Sequence, residues 1–191
     1  MPFTINGTTG LTFNDTTTQS GGLNLINNTG AGADLTLQMG QTAYVNISGQ
    51  TSVPLRIATS ANQIYELNFV ATAATLANNL MFLLINNATG SAHNTFQTYT
   101  NSGNTTAGNF ISTDTSFRMS VGGTAYNFSA KLFTQPFQKC ALVMGRDSNA
   151  SVGFGYIVQS TSTDTSTAWT SLGTLTCATA FSGIAYIRRI G

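Results

Sequence analysis

The chain predicts an all-β fold, a single β-sandwich or jelly roll with an extended N-terminal arm. Three features carry that expectation. Apolar and polar residues alternate with period two in many segments, whereas helical periodicity is weak. The alternating segments are short and set apart by polar turn clusters, as in sandwich proteins. Threonine, β-branched and suited to a pleated surface, fills many of the polar positions together with Asn, Ser and Gly.

At 191 residues the chain is the length of one domain with one buried core. A hydrophobic fraction of 41%, with 12 Phe and 6 Tyr, sets it apart from disordered sequences. Residues 1–22 are Gly- and Thr-rich, and their apolar residues are Phe3, Ile5, Leu11 and Phe13. These carry too little apolar area to fold alone, so the segment reads as a docking arm that orders on a neighbouring surface, with those four residues as its contacts. Residues 23–191 form the sandwich domain.

Within that domain, strands are expected at 43–47 and 53–58. In the next segment Tyr65, Leu67, Phe69 and Ala71 share one face, opposite Glu66 and Asn68. Residues 71–77 read as a short helix or loop, followed by a buried strand at 80–85. A strand at 96–100 precedes a hairpin signature. There Phe117, Met119 and Val121 alternate with polar residues, Gly122-Gly123 offers the positive φ angles of a tight turn, and Tyr126, Phe128, Ala130 and Leu132 resume the alternation. Further strands are expected at 140–144, 154–159, 168–176 and 184–190. The polar tracts 86–94, 100–109 and 160–167 read as exposed loops, where a sandwich usually carries recognition.

Composition narrows the function classes. Charged residues make up 7% of the chain, against about a quarter in ordinary domains. Uncharged hydroxyl and amide side chains keep a surface wet without repelling copies of it, which suits dense symmetric packing. With a net charge of +1 and no basic run beyond Arg188-Arg189, the footprint of a nucleic-acid binder is missing. The start of the sequence has no signal-peptide pattern, and no stretch of ~18 apolar residues suggests membrane insertion. Cys140 and Cys177 lack metal-ligand spacing and read as buried free thiols. Eight Asn-x-Ser/Thr triplets follow from the Asn and Thr richness rather than from glycosylation.

Catalytic groups are scarce. The one histidine, His93, reads as a surface residue of a polar loop, with no nucleophile elbow beside it. Asp15, Asp34, Glu66, Asp114, Asp147 and Asp164 are scattered singly, mostly in turn-like contexts. No calcium-loop spacing and no phosphate-binding loop occurs, so no metal or cofactor is expected. A lectin-like surface is the strongest alternative to a structural role. It would use Trp169, next to a polar loop, or Tyr99 against a sugar, although each of these rings fits core packing as well.

The stretch Thr4-Ile5-Asn6-Gly7-Thr8-Thr9-Gly10-Leu11-Thr12-Phe13-Asn14-Asp15-Thr16-Thr17-Thr18-Gln19-Ser20 resembles a short N-terminal motif of tailed-bacteriophage virion proteins, notably tail-fibre-like ones. In that motif an Asn-Gly-x-x-Gly turn leads into a Gly-Ile-Thr-Phe-Pro-Asp-Gly-Thr-Thr-Gln type of segment. Asn14 stands here in place of Pro, and Thr16 in place of Gly. The segment Ile184-Ala185-Tyr186-Ile187-Arg188-Arg189-Ile190 also looks like the closing strand of small phage structural proteins. The resemblance implies a symmetric homo-oligomer, a trimer by preference, attached to a virion by its N-terminal end and assembled in the host cytoplasm. Its partners would be itself, other tail or capsid proteins, and a host surface glycan. The expected function is that of a non-enzymatic tail-fibre or receptor-binding protein. A capsid decoration (cement) protein comes second and a carbohydrate-binding module third. A polysaccharide-cleaving spike is disfavoured by the short chain.

Overall fold

Alternation in sequence becomes alternation in burial. Along 64–71, Tyr65, Leu67 and Phe69 are buried while the residues between them stay partly or fully exposed. The same alternation runs along other long strands of the computed structural model, which describes residues 4–6, 10–12, 18–19, 25–27, 33–72, 80–87, 93–100, 106–121, 125–135, 138–149 and 152–191. In chain order these form β1 (Thr4–Asn6), β2 (Gly10–Thr12), β3 (Thr18–Gln19), β4 (Leu25–Asn27), β5 (Leu35–Thr36), β6 (Thr42–Pro54), β7 (Ile57–Ala58), β8 (Ile64–Ala71) and β9 (Met81–Leu84). A 3-10 turn (Ile85–Asn87) follows, and then β10 (His93–Thr100), β11 (Thr106–Asp114), β12 (Phe117–Arg118), β13 (Ala125–Gln135), β14 (Gln138–Asn149), β15 (Val152–Ser162) and β16 (Thr174–Arg189).

The protein is all-β, with a jelly-roll-like sandwich made from one large curled sheet. Its main path runs β11-β10-β15-β14-β13-β8-β16-β6-β4, and β9 and β12 branch from β16. Every pairing in this sheet is antiparallel except that of β4 with β6. The sheet divides at β16. The first part of that strand pairs with β9 and the end of β6, the second with β8 and the start of β6, with register shifts between Thr176 and Gly183. At the break, Gly183 is required by close approach: a Cβ there would meet the Val70 carbonyl oxygen at 2.5 Å and the Phe69 ring at 2.7 Å. The two branches then face each other. β12 lies across the inner side of β10 and β15, and the Tyr156 hydroxyl donates to the Met119 carbonyl at 3.1 Å. Tyr65, Phe69, Phe117, Phe181, Leu55 and Leu67 are among the largest side chains buried between them. Each such burial contributes roughly 1.5–3 kcal/mol.

Several expectations need correction. Residues 117–121 and 126–132 do not form a hairpin: β12 pairs with β9, and β13 pairs with β14 and β8. Ser116 through Ser120 are all buried, so that segment has no solvent face on which alternation could act. Gly122-Gly123 lies outside the described residues, as do 73–77 of the expected helix or loop. The separate strands at 43–47 and 53–58 are one strand through Pro54, followed by the short β7. Residues 168–173 are irregular, because their backbone groups bond elsewhere. Asn86 Oδ1 accepts from the Thr170 and Ser171 amides at 2.9 Å each, Asn86 Nδ2 donates to the Ala168 carbonyl at 2.7 Å, and the Leu172 amide donates to the Ile57 carbonyl.

The N-terminal segment also has regular structure of its own: β1, β2 and β3 form a small antiparallel sheet in which Ile5 stands opposite Leu11. Phe3 and Phe13 lie outside the described residues.

Candidate functional site

Register places an unusual surface on the outer side of β11, β10, β15 and β14. One row across these strands reads Phe110, Phe96, Gln159, Leu142, and the next reads Gly108, Thr98, Ile157, Met144. The large apolar residues in this grid are exposed: Phe110 by 63%, Met144 by 59%, Phe96 by 52%, Ile157 by 48% and Leu142 by 37%. The Phe96 ring lies over Gly108, 3.8 Å from where a Cβ would stand. Among the described outward side chains of these strands, Arg146 is the charged one, and it sits at the end of the patch.

Beside the patch, Thr98, Tyr99, Met144, Gly155, Tyr156 and Ile157 line an open apolar recess of about 330 Å³. Two glycines shape it in opposite ways. Gly145 stands opposite Tyr156, whose ring occupies the space a Cβ would need, whereas Gly155 has nothing within 4 Å of its Cβ position.

The inner side of β10 and of the end of β15 is polar, whereas Ala141, Val143, Tyr156 and Val158 belong to the core. His93, Thr95 and Gln97 of β10 and Ser160 and Ser162 of β15 are all buried. Thr95 and Ser160 share a hydroxyl hydrogen bond of 2.7 Å. Arg118 donates through Nε and Nη2 to the two Asp114 carboxylate oxygens at 3.0 and 2.8 Å, donates through Nη1 to Gln97 Oε1 at 3.1 Å, and stacks over the Phe82 ring. β10 thus places polar side chains inside, opposite to the usual pattern, and carries Phe96 among polar residues outside.

The expected chemical groups are engaged in holding the fold. His93 is not a surface loop residue: it opens β10, is 1% exposed and packs edge-to-face on Phe117 with ring centroids 4.8 Å apart. Asp114 likewise belongs to no solvated turn. It ends β11, buried against Arg118. Asp164 does sit in a turn, where Oδ1 accepts from the Ser166 and Thr167 amides at 2.9 and 3.0 Å. Hydrogen bonds from the Thr167 side chain and from Ser166 hold its carboxyl well below the usual carboxylate range. The Lys139 amine donates to the Thr167 carbonyl at 2.7 Å and pins the same loop. Among the described residues no three His, Cys, Asp or Glu side chains converge as a metal site. Cys140 and Cys177 are free thiols, and burial pushes the Cys140 thiol up.

Trp169 and Tyr99 part company. Trp169 is 3% exposed, its indole N–H donates to the Ser171 carbonyl at 2.7 Å, and its ring packs on Phe117. It therefore serves the core and offers no face to a sugar. Tyr99 is partly buried and lines the recess.

No protein-family model matches this chain, and no curated protein matches it. The outer patch and its recess, which alternation alone does not single out, are therefore read from their own chemistry. The available signal is slight: Phe96 stands between Thr95 and Gln97, while Ile157 and Met144 lie within apolar-leaning segments. It becomes legible only once strand order brings the three together.

Proposed function

We propose that this chain is a non-enzymatic structural protein of a tailed-phage virion, of tail-fibre or receptor-binding type, that docks through its N-terminal arm and works as a homo-oligomer. The observation that carries the non-enzymatic part is the engagement of the reactive side chains. His93, Asp114, Arg118, Lys139 and Asp164 each hold a strand or a turn in place, while the outward patch is apolar and uncharged. A surface of that kind suits packing against protein more than acid–base chemistry. The virion assignment rests on the resemblance of residues 4–20 and on the uncharged Thr- and Asn-rich composition.

Deletion of residues 1–22 tests the reading. The truncated protein is expected to fold, keeping the cooperative thermal unfolding of the main domain, but to be missing from particles purified after infection. Incorporation at the wild-type level would remove the arm as the docking element. Absence of the full-length chain from particles would remove the virion reading. The exposed apolar patch also fits the second reading, a capsid decoration protein. Antibody labelling under the electron microscope decides between them by marking tails or heads.

A further inference from the structure

The outward phenylalanines of β10 and β11 have a physical cost. Phe96 and Phe110, paired in register, stand in water while polar side chains fill the interior beneath them. A contiguous exposed apolar patch of this kind marks a surface that a partner covers. We infer that the outer face of β11, β10, β15 and β14 is where copies of this chain pack on one another. The inference rests on the homo-oligomer part of the function proposed above and gives it a surface.

Size is the first argument for a second copy as the occupant. Phe, Met, Ile and Leu at these exposures present roughly 400 Å² of apolar area, within the ~300–600 Å² range of functional patches. Between and around them, Asn94, Thr98, Gln159 and Thr161 of the same face supply polar groups. Together they can reach the ~800 Å² per partner that a stable interface needs. Charge is the second argument. A partner with an ordinary charged surface would strand its ionic groups against this face without counterparts. The chain's own surface, drawn from a sequence with 7% charged residues, imposes no such cost. The third argument is the edge. Among the described strands β11 pairs on one side only, with β10, and its exposed segment Gly108, Asn109, Phe110 carries no charge, proline or lysine to deter pairing. The recess beside Ile157 and Met144 completes the face as a socket for a bulky apolar side chain.

The test compares the full chain with three variants by sedimentation velocity at 1–100 μM, a range of order chosen around typical assembly affinities. The double variant Phe96→Ser/Phe110→Ser removes the aromatic row. Gly155→Arg places a bulky charge in the recess, at a position where a Cβ meets nothing within 4 Å. Ser48→Lys, at an exposed position of β6, is the control. Wild type and Ser48→Lys are expected to sediment as one oligomer, and the two patch variants as monomers with unchanged circular dichroism and at least a tenfold weaker association. An oligomeric wild type whose patch variants stay oligomeric overturns this interface and leaves the homo-oligomer standing. A wild type that is monomeric at 100 μM overturns both and leaves the face to another partner. Gly155→Arg keeps the test decisive should the double phenylalanine variant misfold.

Discussion

A guanidinium buried in a protein is costly unless its donors are used, and Arg118 uses them on Asp114, Gln97 and the Phe82 ring. The pair therefore joins β11 to the opposite layer through geometry more than through net energy. Removing one partner leaves the other charged and dry, so Asp114→Ala is expected to destabilise the fold by about 3–5 kcal/mol. Replacing both, as in Asp114→Leu/Arg118→Met, should restore most of that loss. Urea denaturation of the wild type and both variants measures the two steps, and a double variant less stable than Asp114→Ala would contradict the argument. The sequence showed Asp114 as one of several isolated acids, and nothing near it in the chain revealed that it is dry. His93 was misread for the same reason: a polar neighbourhood in sequence became a buried one when Phe117 crossed over it.

Strands β14 and β15 show how neighbouring glycines can differ at the scale of an element. Gly145 faces inward beneath the Tyr156 ring, and that ring carries the hydroxyl that ties β15 to Met119 in the other layer. Gly155, next in the chain to Tyr156, faces open space. Gly145→Ala is expected to push the tyrosine off its site and cost about 1–3 kcal/mol, as overpacked cores do. Gly155→Ala should stay within ~0.5 kcal/mol of wild type, as surface changes do. Thermal unfolding of both proteins is the measurement, and equal shifts would mean that the Tyr156 contact does not constrain Gly145. The strands themselves were legible, since 140–144 and 154–159 fall inside them, but their full lengths were not. Polar residues at both ends of β14 and at the end of β15 prolong these strands because a paired neighbour satisfies their backbone, and side-chain pattern does not register that.

Over the whole molecule, the last strand closes the structure. β16 must find β6, β8 and β9, and its pairing of Arg188 with Thr42 joins opposite ends of the main domain. Loop closure over such distances is paid before contacts reward it, which places folding in the millisecond-to-second range typical of all-β topologies. Stopped-flow refolding from urea, followed by Trp169 fluorescence, should show a main phase slower than about 1 ms. A microsecond phase that recovers the whole signal would mean that Trp169, packed on Phe117, reports only local structure.

The sequence by itself determined the fold class, because period-two alternation of apolar residues can bury a continuous face only as strands. It also determined that the chain carries few groups able to do chemistry, since residue types are counted before any folding occurs. Tertiary structure alone decided which strands pair, that Phe117 and Arg118 are enclosed on both faces, and that Phe96, Phe110, Ile157 and Met144 share one exposed surface. The physical reason is that alternation assigns a residue to a face of its own strand, whereas the side of the sheet that turns inward depends on where the sheet curls. That curl is set at β16, far along the chain from the residues whose exposure it decides.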